Sequence, residues 1–227
     1  MHYVVSDLHG CYKQYRRLLE TIRLREDDTL YVLGDVVDRG ADGIRILQDM
    51  CLRKNIVPFW GNHDYEAYTL LNGFFCSRRR DDAFLDAFRL WLADGGTPTA
   101  KAFEALSDGE RRAILQYLAS FGTYEHCSVG GKQFFLAHTV PPKEKFSDPA
   151  ACSLRDFILG RPEYGRVYAQ ELHIVTGHTP TEQIDETSRG RIWRGSSHIA
   201  IDCGAVFGNP LGCLCLETGE EFYISPQ

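Results

Sequence analysis

Asp7 and His9 stand two residues apart near the start of the chain, a carboxylate and an imidazole straddling Leu8. On extended backbone, residues i and i+2 point to the same side, so both could grip one cation while Leu8 turns to a core. Alone, Asp-x-His is a weak pattern. It gains weight from Asp35, Asn62, His63, His138 and His178, each placed where a strand is expected to end beside glycine or another small residue. The other histidines (His2, His126, His173 and His198) have no such context and read as ordinary surface or strand positions. Five strand ends converging on carboxylate, amide and imidazole are hard to explain as core packing. Oxygen and nitrogen ligands without a thiolate suit Mn²⁺, Fe or Zn²⁺.

Six ligands (Asp7, His9, Asp35, Asn62, His138, His178) are too many for one ion with an open position and enough for two if Asp35 bridges. Two ions about 3.5–4 Å apart polarise a phosphate, generate a hydroxide and stabilise the leaving oxygen. His63 is then a histidine the ions do not need. Asp38 is placed to hold it in one tautomer and raise its basicity, as a general acid requires. Arg39 offers a planar fork for phosphate oxygens.

Those loops need elements to carry them. A β-branched run over Tyr3 to Ser6 precedes a helical pattern from Tyr12 to Leu24, with Tyr15, Leu18, Leu19 and Ile22 on one face. Strand Thr29 to Leu33 leads to a helix over Asp42 to Leu52, and strand Ile56 to Phe59 leads to Gly61-Asn62-His63-Asp64. Alternating strand and helix predicts a mostly parallel sheet, with ligands at the carboxyl ends of its strands. From about 65 to 123 helical patterns dominate (Glu66–Leu71, Ala83–Ala93, Pro98–Leu106, Asp108–Ala119), an expected helical insertion in one domain spanning 1–227. Strands return at Tyr124–Val129, turn at Gly130-Gly131, and continue over Gln133–Ala137 and Leu172–Thr176. Four short runs after Ile192 read as antiparallel strands.

Composition narrows the class. The chain has 227 residues, 44% hydrophobic and 25% charged, with a formal net charge of −6, which argues against a nucleic-acid polymer as partner. It leaves a phosphate site open, since metal ions supply positive charge that composition does not show. The N-terminus does not read as a signal peptide and no apolar run approaches a membrane span, so a cytoplasmic protein without membrane contact is expected. The eight cysteines contain no CxxC and are expected as reduced thiols, with Cys213 and Cys215 in a core strand rather than on a metal. The run Arg78-Arg79-Arg80 reads as a solvated charge run, given Asp81 and Asp82 after it.

Ser6-Asp7-Leu8-His9-Gly10, Gly34-Asp35-Val36-Val37-Asp38-Arg39-Gly40 and Gly61-Asn62-His63-Asp64 resemble the three signature blocks of the calcineurin-like metallophosphoesterases. More narrowly they resemble the phosphoprotein-phosphatase family in its small bacterial and phage form. Ala137-His138, Gly177-His178-Thr179-Pro180 and Ile201-Asp202-Cys203-Gly204-Ala205-Val206-Phe207 continue the likeness over nearly the whole chain. The resemblance implies an α/β fold, a two-sheet β-sandwich flanked by helices in four layers (α/β/β/α). It implies two divalent ions, Mn²⁺ first, with Fe, Zn or Ni as alternatives. Asp7, His9 and Asp35 would hold the first, and Asp35, Asn62, His138 and His178 the second. His63, supported by Asp38, would protonate the leaving alkoxide. Arg39 would hold phosphate, joined by Arg155 in Ser153-Leu154-Arg155-Asp156.

Three departures bear on the substrate. Ser6 stands where glycine is usual, and Asp64 where protein phosphatases carry glutamate. Trp60 stands where many carry a phosphate-binding arginine; a core position is expected for it, with stacking on a nucleobase as the other reading. The leading expectation is hydrolysis of phosphoserine and phosphothreonine esters in proteins. The alternative is a diadenosine-tetraphosphate (dinucleoside polyphosphate) hydrolase, and intact ligands disfavour a non-catalytic scaffold.

Overall fold

The computed structural model describes residues 1–226. Its first sheet has the order β10-β9-β1-β2-β3 and its second the order β4-β5-β6-β8-β7. The strands of the first are β1 (His2–Val5), β2 (Thr29–Val32), β3 (Ile56–Pro58), β9 (Leu211–Cys215) and β10 (Glu221–Ile224). Those of the second are β4 (Tyr124–Val129), β5 (Lys132–Ala137), β6 (Leu172–Thr176), β7 (Trp193–Arg194) and β8 (His198–Ala200). β1, β2 and β3 run parallel, as do β5, β6 and β8, and β9, β10, β4 and β7 each pair antiparallel with their neighbours. The late strands are thus not all antiparallel as expected: β8 joins β6 in parallel after a crossover.

Period-two alternation assembles the layers. Val4, Tyr31 and Leu214 of the first sheet face Phe134, Leu136, Val175 and Ile199 of the second, forming the core between sheets. Their neighbours Tyr3, Val5, Val32, Cys213 and Cys215 point the other way, under α1 (Tyr12–Thr21) and α2 (Gly43–Cys51). Cys213 and Cys215 are buried core residues. Phe135, Ala137 and Ile174 pack outward against Phe146, Phe157 and Tyr168, beneath α7 (Lys143–Phe146) and α8 (Leu154–Ile158). Each fully buried side chain of this kind contributes about 1.5–3 kcal/mol. The result is two mixed sheets between helical layers.

Helix ends differ from the pattern for local reasons. Arg23 turns left-handed (φ 48°), so α1 stops before Leu24. The helix expected from Glu66 begins earlier: α3 spans Asn62–Leu71, so Asn62 and His63 ride on its first turn. Between β3 and β4 the chain continues through α4 (Asp82–Trp91), α5 (Thr97–Glu104) and α6 (Asp108–Ala119). A short α9 (Thr181–Ile184) follows β6. No helix among the described residues is long and apolar enough to cross a membrane.

Candidate metal centre

The carboxyl ends of β1, β2 and β3 in one sheet and of β5 and β6 in the other meet at one rim. The loop after β1 bonds along the loop after β2: Asp7 N to Gly34 O at 3.1 Å, His9 N to Asp35 O at 2.8 Å and Gly10 N to Val36 O at 2.9 Å. Asp7 and His9 do not share a side through an extended pleat. β1 ends at Val5, and both residues are left-handed (φ 52° and 38°), while Leu8 between them is fully buried. Asp35, Asp38, Arg39 and His178 are left-handed too. Six of the nine non-glycine residues with positive φ among the described residues therefore lie in this one place, where backbone strain marks a functional constraint.

Asp35 occupies the middle. Its Oδ2 lies 3.5 Å from His9 Nε2 and 3.6 Å from His138 Nε2, and its Oδ1 accepts from His63 N at 3.0 Å. A β-carbon at residue 61 would come within 2.1 Å of that Oδ1, so Gly61 is what lets the loops close. Ligand atoms of His9, Asp35 and His63 lie within 4.8 Å of one another, as do those of Asp35, His138 and His178. On the second side Asn62 Oδ1, His138 Nε2 and His178 Nδ1 stand 3.1 Å apart pairwise. Ligands of one cation held at about 2.1 Å are separated by about 3.0–3.4 Å, so this triangle fits a shared ion. Backbone carbonyls set the tautomers. His9 Nδ1 donates to Val37 O at 2.9 Å and His138 Nδ1 to Leu33 O at 2.7 Å, leaving each Nε2 bare toward the site. Asp7 belongs to neither trio. Its Oδ2 accepts from the Ser6 hydroxyl and from His178 N.

The electrostatics ask for cations. Burial and the nearby Asp35 charge push Asp7 up to about 8, and burial with the same neighbour lifts Asp64 to about 7. Asp202, a site neighbour the sequence reading left without a role, is raised well above the carboxylate range by burial and by Asp7. Burial would raise Asp35 as well, but the imidazoles of His138, His63, His9 and His178 outweigh it and hold it low. Burial lowers His9 to about 4 and His178 to about 3, so both are neutral ligands at pH 7. Bare imidazoles and crowded carboxylates form a donor set that divalent ions match.

His63 and Arg39 sit at the first trio's edge. His63 Nδ1 pairs with Asp38 Oδ2 at 2.9 Å. Burial opposes its protonation, but the bond to Asp38 and the Asp35 charge outweigh burial and lift it to about 9. Arg39 donates from Nη1 to His9 Nε2 at 2.6 Å and from Nη2 to His63 Nε2 at 2.9 Å. An ion on His9 Nε2 excludes the first bond and a proton on His63 Nε2 excludes the second, so Arg39 must turn from both imidazoles when the ion and the proton are in place.

Other expected positions sort plainly. Arg155 is exposed on α8, and its side chain bonds nothing among the described residues. Besides Arg39, whose charge bears on His9 and His63, Arg161 contributes a charge that helps depress His178. Its place after Gly160, just before Pro162, was the available signal. Trp60 is 7% exposed and packs against Tyr65, Tyr68 and Phe121, so it is a core residue and no platform for a base. Asp64 ties loop to helix by accepting from Val36 N, Val37 N and Gly61 N. His198 is buried and bonds Thr176 Oγ1 at 2.7 Å. Arg79 and Arg80 remain in the exposed charge run, paired with Asp81 and with backbone carbonyls.

Residues 3–202 match the family model described as calcineurin-like phosphoesterase. A stretch of 89 residues is 35% identical to a symmetrical bis(5'-nucleosyl)-tetraphosphatase of Buchnera aphidicola subsp. Schizaphis graminum (strain Sg), covering 37% of this chain and 33% of that protein. The aligned part thus spans about a third of the curated relative. A solved protein described as a candidate diadenosine tetraphosphatase superposes with a TM-score of 0.70 at 15% identity, covering 100% of this chain and 93% of that one. A Saccharomyces cerevisiae protein serine/threonine phosphatase superposes with 0.57 at 13% identity, covering 99% and 79%. These two likenesses show a shared fold and do not choose a substrate. The family match over most of the chain, together with the convergence of its carboxylates, amide and imidazoles at one rim, places this chain in the calcineurin-like phosphoesterase family, as a metallophosphoesterase.

Proposed function

We propose that this protein hydrolyses the polyphosphate bridge of dinucleoside polyphosphates at a site for two divalent ions. The observation that carries the reading is a mostly apolar cleft of about 360 Å³ opening beside Asn62, with Tyr65, Leu70, Ala87, Ile158 and Leu159 on its walls. Tyr65 is 41% exposed, an aromatic face one turn from a proposed ligand. Stacking of a base on such a face is worth about 1–3 kcal/mol. The names of the curated relatives point the same way.

Asp7, His9 and Asp35 would hold one ion, and Asp35, Asn62, His138 and His178 the other. Divalent ions bound there would supply polarisation of phosphoryl oxygens and a nucleophilic water at neutral pH. Arg39, turned from the imidazoles, binds a phosphoryl oxygen, with Arg161 as a second cation on the His178 side. Once Arg39 leaves His63 Nε2, that nitrogen takes the proton Asp38 favours and presents it to the leaving oxygen.

One feature favours the protein-phosphatase reading. A serine alkoxide is a poorer leaving group than a nucleotide phosphate and gains more from a proton, and the Asp38–His63 pair is intact at 2.9 Å. The test is kcat/KM of the Mn²⁺-loaded protein on diadenosine tetraphosphate beside a phosphothreonine peptide. A preference of tenfold or more for the dinucleotide, about 1.4 kcal/mol, supports the proposal. The opposite preference overturns it in favour of the phosphopeptide.

A further inference from the structure

We infer that the helical segment between β3 and β4 carries a positioning clamp for the catalytic acid and the phosphate arginine, built from Trp91, Gly95 and Thr99. The inference rests on the reading of His63 as general acid given above.

Asp38 and Arg39 are consecutive left-handed residues (φ 68° and 65°), a conformation non-glycine residues hold only where surroundings impose it. The surroundings here are four hydrogen bonds from one stretch of nine residues. Asp38 N donates to Thr99 Oγ1 at 2.9 Å, and the same hydroxyl donates to Asp38 Oδ1 at 2.7 Å. Trp91 Nε1 donates to Asp38 Oδ2 at 2.8 Å, and Arg39 N donates to Gly95 O at 2.8 Å. Asp38, Trp91 and Thr99 are each at most 2% exposed, so water does not compete for these bonds.

The stretch is shaped for this contact. Between α4 and α5 the chain kinks at Asp94 and Gly95, whose backbone is not helical, and Gly95 lies at φ 106°. A β-carbon on Gly95 would meet Arg39 Cγ at 2.8 Å, and one on Gly96 would meet the Trp91 ring at 2.3 Å. Both glycines are the condition for bringing the turn onto Asp38 and Arg39 at once. With Oδ1 taken by Thr99 and Oδ2 shared by Trp91 and His63 Nδ1, the carboxylate is not free to rotate. Its remaining direction is toward His63, which fixes the ring whose Nε2 must reach the leaving oxygen.

A clamp on the acid has a signature that general stabilisation lacks: it matters more as the leaving group worsens. The measurement is kcat and KM of Mn²⁺-loaded Trp91→Phe, Thr99→Val and Thr99→Ser on 2,4-dinitrophenyl, 4-nitrophenyl and phenyl phosphate, with bound metal counted for each variant. Trp91→Phe and Thr99→Val are expected to lose about 10–100-fold in kcat on phenyl phosphate, part of the 10²–10⁴ that acid catalysis supplies. On the dinitrophenyl ester they lose little, KM and metal content stay put, and Thr99→Ser recovers the activity. Should the large buried Trp91 not tolerate phenylalanine, the nearly isosteric Thr99→Val carries the test. His63→Asn, run alongside, separates two failures. A loss in His63→Asn that ignores the leaving group overturns the acid reading and the clamp with it. A graded loss in His63→Asn beside a uniform loss, or none, in the clamp variants overturns the clamp alone.

Discussion

Replacing Asp7 by asparagine should stabilise the metal-free protein at neutral and alkaline pH while destroying its response to metal. Asp7 is raised from 3.8 to about 8 by burial and by Asp35. A carboxyl raised on folding costs nothing below its unfolded value, an increasing amount between the two values, and a constant amount above the folded one. The wild type therefore loses stability through this group as pH rises from about 4 to about 8. At pH 7 the cost comes to about 4 kcal/mol from 1.36 kcal/mol per unit. Asparagine removes the charge and keeps an oxygen for the two donors that Asp7 Oδ2 now serves, the Ser6 hydroxyl and His178 N. Even half the effect, about 2 kcal/mol, corresponds to about 4–8 °C in Tm for a chain of this size. The assay is thermal unfolding in EDTA from pH 4.5 to 9, repeated with Mn²⁺. The variant's Tm should exceed the wild type's by a margin that widens with pH, and Mn²⁺ should lift the wild type far more. Parallel curves in EDTA, or a variant less stable at pH 8, would refute the reasoning.

Asp35→Asn should bind neither ion tightly, because the carboxylate placed 3.5 and 3.6 Å from His9 and His138 becomes a neutral amide; retention of two ions by metal analysis would overturn the bridging role. Arg161→Ala should lower kcat/KM about tenfold, the scale of one exposed charged contact near 1.4 kcal/mol, while Arg155→Ala stays within about twofold. Steady-state kinetics on one substrate decides between the two arginines. Tyr65→Ala should raise KM for diadenosine tetraphosphate about 5–150-fold, matching one lost stacking contact, and leave 4-nitrophenyl phosphate unchanged. An equal effect on both substrates would remove the cleft from base recognition.

Much of the fold was legible because strand and helix periods follow burial. Tyr3, Val4 and Val5 alternate between two cores, and the face of Tyr15, Leu18 and Leu19 is the face α1 buries. What was not legible came from contacts distant in sequence. Asp7 and His9 look like neighbours on a strand, but left-handed turns bring them together, and a turn of that kind leaves no periodic trace at Asp or His. Arg155 and Arg161 are alike in type and only six residues apart; that the charge of Arg161 bears on His178 depends on how the chain leaves α8 at Gly160. Trp91 and Thr99 sat inside an amphipathic helical pattern, where a buried tryptophan reads as packing and its indole N–H carries no mark of a partner 53 residues away.

The site looks wasteful if judged by folding alone. Six left-handed residues at about 1–3 kcal/mol each, together with carboxylates buried beside one another, are costs that a sequence selected only for stability would shed. They share one remedy. Under the proposed assignment, cations at the rim would neutralise Asp7 and Asp35, and holding six ligands about them would require loops that turn sharply at the strand ends instead of running on. The sandwich makes this affordable by keeping its cores behind the rim: the inter-sheet layer of Val4, Leu136 and Val175 and the layer under α1 stay intact whatever the loops do. Strain and charge are thus confined to the one edge where an ion can offset them, and metal binding and local folding of that edge become a single equilibrium.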